Sequence, residues 1–161
     1  MAVKVKIDLR EIEQTIKLIP SSIKTRSVAD FVKEKMLDLI SKGISPIEGQ
    51  GRFPGYKNPK EGYPATVKTS FGSKRPRPVN LTLSGKFLRR LIARPKGKFT
   101  VEIGFFDKYG KDLEQGHREG TNGQLKRPII PQTGERFVNS IRLGMIKMIR
   151  EAVQEFINAR R

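Results

Sequence analysis

Residues Gly104 to Pro131 read GFFDKYGKDLEQGHREGTNGQLKRPIIP, and this stretch decides where the two halves of the fold meet. It leaves a strand, passes through a short polar helical run over Tyr109–Gly116 that contains Leu113, and crosses an Asn122-Gly123 turn. It ends in Arg127-Pro128-Ile129-Ile130-Pro131, which must be extended because each proline biases the residue before it away from helix. Two isoleucines held between prolines are suited to plug a core, so the segment reads as a structural clasp. From Gly134 a long helix follows, with Phe137, Ile141, Met145, Met148, Ala152 and Phe156 at spacings of three and four. Val138, Ile149 and Val153 widen that stripe.

Upstream, Phe99, Val101, Ile103 and Phe105 alternate with Thr100, Glu102 and Gly104. This is the cleanest strand in the chain, and its place is the middle of a sheet. Before it, Ser84 can cap a short helix whose Phe87, Leu88, Leu91 and Ile92 share a face, with Pro95 and Gly97 ending it. Val79, Leu81 and Leu83 alternate as a short strand. Ile44 to Pro78 has no sustained period and is dense in Gly, Pro, Ser and Lys, so residues 44–78 read as a long basic extended arm. Ser27 and Asp30 fit a capping pattern for a helix over 27–43 with Val28, Val32, Met36, Leu39 and Ile40 on one face and Gly43 beyond its end. Ile12, Ile16 and Ile19 suggest a short helix closed by Pro20, and Val3, Val5, Ile7 and Leu9 alternate as a first strand. The expected fold is α+β: a small antiparallel sheet flanked by helices, with a long C-terminal amphipathic helix and the inserted arm, in a single domain over 1–161.

The 161 residues carry a formal charge of +17, with 36% hydrophobic and 30% charged residues and no cysteine. A thiolate metal site, a disulfide framework and a cysteine nucleophile are thereby excluded. No run approaches the roughly 18 apolar residues of a membrane span, and MAVKVKIDL lacks a signal-peptide apolar region, so a soluble protein made in the cytoplasm is expected. The charge is uneven: residues 44–98 hold 13 Lys/Arg against 2 Asp/Glu, a net +11. Such a surface attracts polyanions, either nucleic acid or an acidic protein. Within the arm, Arg52, Phe53, Tyr56, Tyr63, Phe71, Lys74, Arg75 and Arg77 interleave aromatic and basic character. That pattern suits either anchors that pin the arm to a neighbouring subunit or partner, or stacking on single-stranded nucleic acid.

His117 is the only histidine. With Glu114 and Glu119 it suggests metal ligation or acid–base chemistry, but the spacing is not a zinc motif and no Ser or Cys stands in a nucleophile context. The expected role is structural, a polar side chain bonding across a loop beside the clasp. No catalytic, cofactor-binding or metal residue is assigned, and the protein is not expected to be an enzyme.

Three segments carry a family resemblance. They are Ile44-Ser45-Pro46-Ile47 with Gly51-Arg52-Phe53, then Pro78-Val79-Asn80-Leu81-Thr82-Leu83-Ser84-Gly85, and finally Gln115-Gly116-His117 through Arg127-Pro128-Ile129-Ile130-Pro131. Together with the element order they resemble the virion-morphogenesis, tail-completion proteins of tailed bacteriophages. The resemblance implies a structural protein of the virion that forms a homo-oligomeric ring, a hexamer favoured, at the neck or tail top. It implies neighbours among neck, connector and tail-terminator or tail-tube proteins, with transient contact to passing double-stranded DNA and no membrane. The position within the neck stays open between tail completion, terminator and connector ring. The competing reading is a basic nucleic-acid-binding module that uses residues 44–98.

Overall fold

A computed structural model describes residues 4–8, 25–55, 68–69, 72–73, 79, 81, 85–97, 100–121 and 125–159. Its sheet is three-stranded, in the order β1 (Lys4–Asp8), β5 (Thr100–Phe105), β4 (Leu91–Gly97), antiparallel throughout. The expected central strand is thus central. Register sets Val5 opposite Ile103 and Ile7 opposite Val101, while Leu91 and Ala93 pair with Phe105 and Ile103. The alternation of β5 and β4 places Val101, Ile103, Phe105, Leu91 and Ala93 on one face of the sheet. Val101, Ile103, Phe105 and Leu91 are fully buried there.

Helix α1 (Thr25–Ser41) covers that face, packing on β4 and β5 through Val28, Ala29, Val32, Met36 and Ile40. It ends as the sequence indicates, with Gly43 at φ 73°. The Gly43 amide donates to Ile40 O at 3.0 Å and the Ile44 amide to Leu39 O at 2.9 Å, a Schellman closure. Its start differs from the expectation. Ser27 lies inside the first turn, not before it, and Asp30 pairs with Arg26 at 3.2 Å one turn back. The long C-terminal helix, α4 (Asn139–Asn158), packs chiefly on α1, and its Ile141, Met145 and Ile149 join the same core. The sequence pattern starts it at Gly134. Gly134 instead turns at φ 88°, and Phe137 is held in a β-bridge to Ile47, so helix begins only after Val138.

Helix α2 (Lys86–Arg89) is a single turn, and the helical face expected to continue through Leu91 and Ile92 is strand β4 instead. Four residues cannot propagate a helix alone, and pairing with β5 captures the rest. Pro95 is tolerated because β4 is an edge strand, and the register shifts between Pro95 and Gly97. Gly85, at φ 73°, holds the N-cap position without a side-chain cap, and Ser84 lies outside the described residues. The strand expected at 79–83 is overturned at Leu81, whose φ of 54° is left-handed and incompatible with a strand. The alternation still placed Val79 and Leu81 inward, since both are core residues.

The arm begins differently from the expectation. Residues 44–55 are built into the domain: Ile44 bridges Arg52, Ile47 bridges Phe137, and the Phe53 amide donates to Gly43 O at 2.8 Å. Ile47 and Phe53 are buried. Further along, β2 (Lys68–Thr69) and β3 (Gly72–Ser73) pair as a short antiparallel ribbon inside the stretch expected to lack regular structure. The helix expected around Ile12–Ile19 lies outside the described residues. Among the described residues no helix is long and apolar enough to cross a membrane.

Candidate functional site

The segment from the end of β5 to the start of α4 forms the most polar-rich buried junction among the described residues. Asp107 accepts from the Gly110 amide at 2.9 Å and caps helix α3 (Lys108–Glu119), which packs on β5 and α2. The Gly110 amide and then the Arg90 guanidinium hold the Asp107 carboxyl below its ordinary range, opposed by burial. The helix approaches β5 closely at Gly110, where an added Cβ would stand 2.8 Å from a Phe105 ring atom. It runs past Gly116, where the sequence suggested an end, and stops at Gly120 at φ 72°. His117 is therefore in the last turn of α3, not in a loop. Its ring packs against Phe87 at 5.3 Å, and its carbonyl accepts from the Arg127 amide at 2.6 Å.

Arg127, Pro128, Ile129, Ile130 and Pro131 are all buried, with both isoleucines fully so. Polar groups fix this clasp on three sides. On the arm side, the Arg127 guanidinium donates to Pro54 O at 3.1 Å and Gly55 O at 2.8 Å, and the Ser45 hydroxyl donates to Pro128 O at 2.8 Å. On the α3 side, Glu114 Oε1 accepts from the Ile130 amide at 3.1 Å. Toward α4, Arg118 donates to Ile130 O and pairs with Glu135 at 3.1 Å, while Glu135 accepts from the Gln132 amide at 2.8 Å. Burial raises the Glu135 carboxyl, yet Arg118 and the Gln132 amide outweigh it and leave it below its usual range.

Glu114 is the exceptional member. Its side chain is 0% exposed, and burial pushes its pKa up to about 7 against the pull of the Ile130 amide and Arg118. Arg118 Nε lies 3.8 Å from Oε1, and Oε2 has no hydrogen-bond partner among the described residues.

On the sheet face opposite α1, Glu102 is buried between Arg94 at 3.2 Å and Lys96. Lys96 first, then Arg94, holds its carboxyl low against burial. Arg94 also lies over the Phe106 ring at 4.1 Å, Arg90 over Tyr109 at 4.9 Å, and Arg90 pairs with Asp107 at 2.7 Å. Three cations of the basic 44–98 segment are thus answered by acids of the same domain.

Of the residues expected to form an assembly surface, Arg52 is exposed at the arm root, whereas Phe53 belongs to the protomer's own core. Tyr56, Tyr63, Phe71, Lys74, Arg75 and Arg77 lie outside the described residues. The structure brings His117 and the 127–131 clasp together at the end of α3. Sequence reasoning passed over Ser45 and Arg118. Arg118 stands one turn after Glu114, the spacing of a helical ion pair, and that was its signal. Ser45, a small polar residue among Ile44, Pro46 and Ile47, offers none. Among the described residues no group of three or more His, Asp or Glu is placed to hold a metal ion. Comparison of the chain with family models, with curated proteins and with solved structures finds no match.

Proposed function

We propose that this chain is a structural subunit of a tailed-phage virion, a ring-forming protein of the neck or tail top without enzymatic activity. The observation that carries this reading is the use made of the segment with the strongest family resemblance. Its polar groups, and those that meet it, are committed to main-chain partners: Arg127 to Pro54 and Gly55, Arg118 and Glu114 to Ile130, and Ser45 to Pro128. That is the chemistry of a scaffold that fixes where an arm leaves its domain. A reaction centre instead keeps its acids, bases and donors turned toward a substrate. The basic arm then reaches neighbouring subunits or an acidic ring above or below.

A phosphate track along the whole of 44–98 finds less support, because Arg90, Arg94 and Lys96 already face Asp107 and Glu102. Negative-stain imaging of the purified protein, alone and with phage tails, tests the class. A closed ring seated on a tail end is expected, and a monomer that binds free DNA and ignores tails would overturn the reading. Charge reversal at Lys74, Arg75 and Arg77 should weaken docking in a salt-dependent manner, since exposed charges are screened over about 10 Å at 0.1 M. Docking unchanged by that triple variant would remove the arm from the interface.

A further inference from the structure

The clasp is held to α3 by the Arg127 amide on His117 O, by Arg118 on Ile130 O, and by one carboxyl group, Glu114, whose two oxygens are treated unequally. Oε1 of Glu114 receives the Ile130 amide, and the neighbouring Ile129 amide also favours the charged form, but Oε2, equally buried, has no partner with hydrogen-bond geometry among the described residues. An ionised carboxylate has lone pairs on both oxygens that require donors, and burial without them is strongly unfavourable. A neutral acid still leaves one oxygen unpartnered but carries no charge, so it is the less costly form in this buried setting.

The surrounding charges compensate ionisation only in part. Arg118, on the same helix, turns its two terminal nitrogens to Glu135 and to Ile130 O, and its buried Nε stands 3.8 Å from Oε1, beyond hydrogen-bond distance and without a hydrogen-bond partner among the described residues. Glu135, from the segment leading into α4, is a second negative charge and raises the Glu114 pKa further. Arg127, from the clasp, directs its guanidinium to Pro54 O and Gly55 O on the arm side. His117, one turn along α3, packs on Phe87 of α2. From β5, the contact α3 receives at Gly110 is the apolar Phe105.

We propose that Glu114 is a proton-operated latch: its neutral acid fastens the 127–131 clasp, and through it the root of the basic arm, to helix α3, and withdrawing the proton loosens both. The arm is included because Arg127 and Ser45 tie the clasp to residues 54–55 and 45, so the clasp cannot leave α3 without pulling on that root. The latch needs no assumption about what the chain assembles with.

The sign follows from linkage. In the closed clasp the Glu114 pKa is about 7, and in an open, hydrated clasp it returns toward the ordinary carboxylate value of 4.5. A raised closed-state pKa gives a contribution that is complete below the open-state value and is lost as pH rises toward the closed-state value. The clasp should thus open more readily by about tenfold per pH unit between the two values, and level off above the upper one.

Amide exchange of the full-length protein reads this directly, after correction for the pH dependence of the intrinsic rate. The Ile130 and Arg127 amides should lose protection progressively from pH 5 to 7, while β5 amides serve as the control. Glu114→Gln keeps the acceptor for Ile130 and cannot ionise, so its clasp protection should be flat with pH. Wild-type and Gln-variant profiles that run parallel would overturn the proposal. If the variant does not fold, carbon-13 titration of the Glu114 carboxyl in the wild-type chain decides. An inflection near 7 supports the latch, and one in the ordinary carboxylate range, about 4.3, ends it.

Discussion

Gly144 gives the sharpest test of how α4 sits on α1. It lies in the middle of α4, and a Cβ built there would stand 2.2 Å from Phe31 Cζ and 2.8 Å from Cε1. Carbon atoms attract best at about 3.5–4.0 Å, so Gly144→Ala forces the ring, or the helix, to move by more than about 1 Å. Two effects oppose each other. Alanine stabilises a helix interior by about 1 kcal/mol relative to glycine, while overpacking a fitted contact costs about 1–3 kcal/mol. The overlap is deep enough that the upper half of that range applies, so a net loss of about 1–2 kcal/mol is expected. For a chain of this size that lowers Tm by about 2–8 °C. In a Phe31→Ala background the obstacle is gone, and the same Gly144→Ala change should raise stability by about 1 kcal/mol. Urea or thermal unfolding of the four proteins forms a double-mutant cycle, and its interaction energy should be about 2–3 kcal/mol. If Gly144→Ala stabilises the wild-type background, or acts alike in both, the close α1–α4 approach is wrong.

Met145→Asp places an unpaired charge at a position 8% exposed in the core, and should lower stability by several kcal/mol (on the order of 3–5); a soluble protein with an unshifted melting curve would take α4 out of the core. Arg127→Ala removes the donors to Pro54 O and Gly55 O, and should cost about 2–3 kcal/mol while exposing the arm root to trypsin after Arg52. Equal cleavage of variant and wild type at that site would show that the clasp does not anchor the arm.

Much of the fold was legible because period and burial coincide. β5 alternates cleanly and is paired on both sides, and the α1 stripe of Val28, Val32, Met36 and Ile40 is the stripe that is buried. The errors have physical causes. Phe87, Leu88, Leu91 and Ile92 satisfy a helical period over six residues, but that run is shorter than a helix needs, and β5 offered Leu91 a ladder partner. Gly116 looked like a helix stop, yet only Gly120 takes the left-handed conformation that ends α3. The buried junction was half legible. The Pro-bracketed isoleucines announce a plug. That Glu114 would face the plug rather than solvent depends on how α3 is docked at Gly110, which no local pattern encodes.

The charge distribution separates what holds the domain from what the domain can attract. Among the described residues many cations have an acid of the same chain beside them: Arg90 with Asp107, Arg94 and Lys96 with Glu102, Lys108 with Asp112, Arg118 with Glu135, Arg142 with Glu48. The exposed ones, Arg90–Asp107, Lys108–Asp112 and Arg142–Glu48, add little stability, about 0–1 kcal/mol each, but all of them flatten the local potential. Residues 56–78 lack that compensation in the sequence itself, with six Lys/Arg against the single acid Glu61. The excess positive charge that gives the chain its pull on acidic surfaces is therefore concentrated in a segment whose root the clasp fixes. Holding that root costs the arm less entropy on docking than a free tether would, because its starting point is already set. If the arm docks on an acidic partner, as proposed above, loosening the clasp should weaken that docking without altering a single cation.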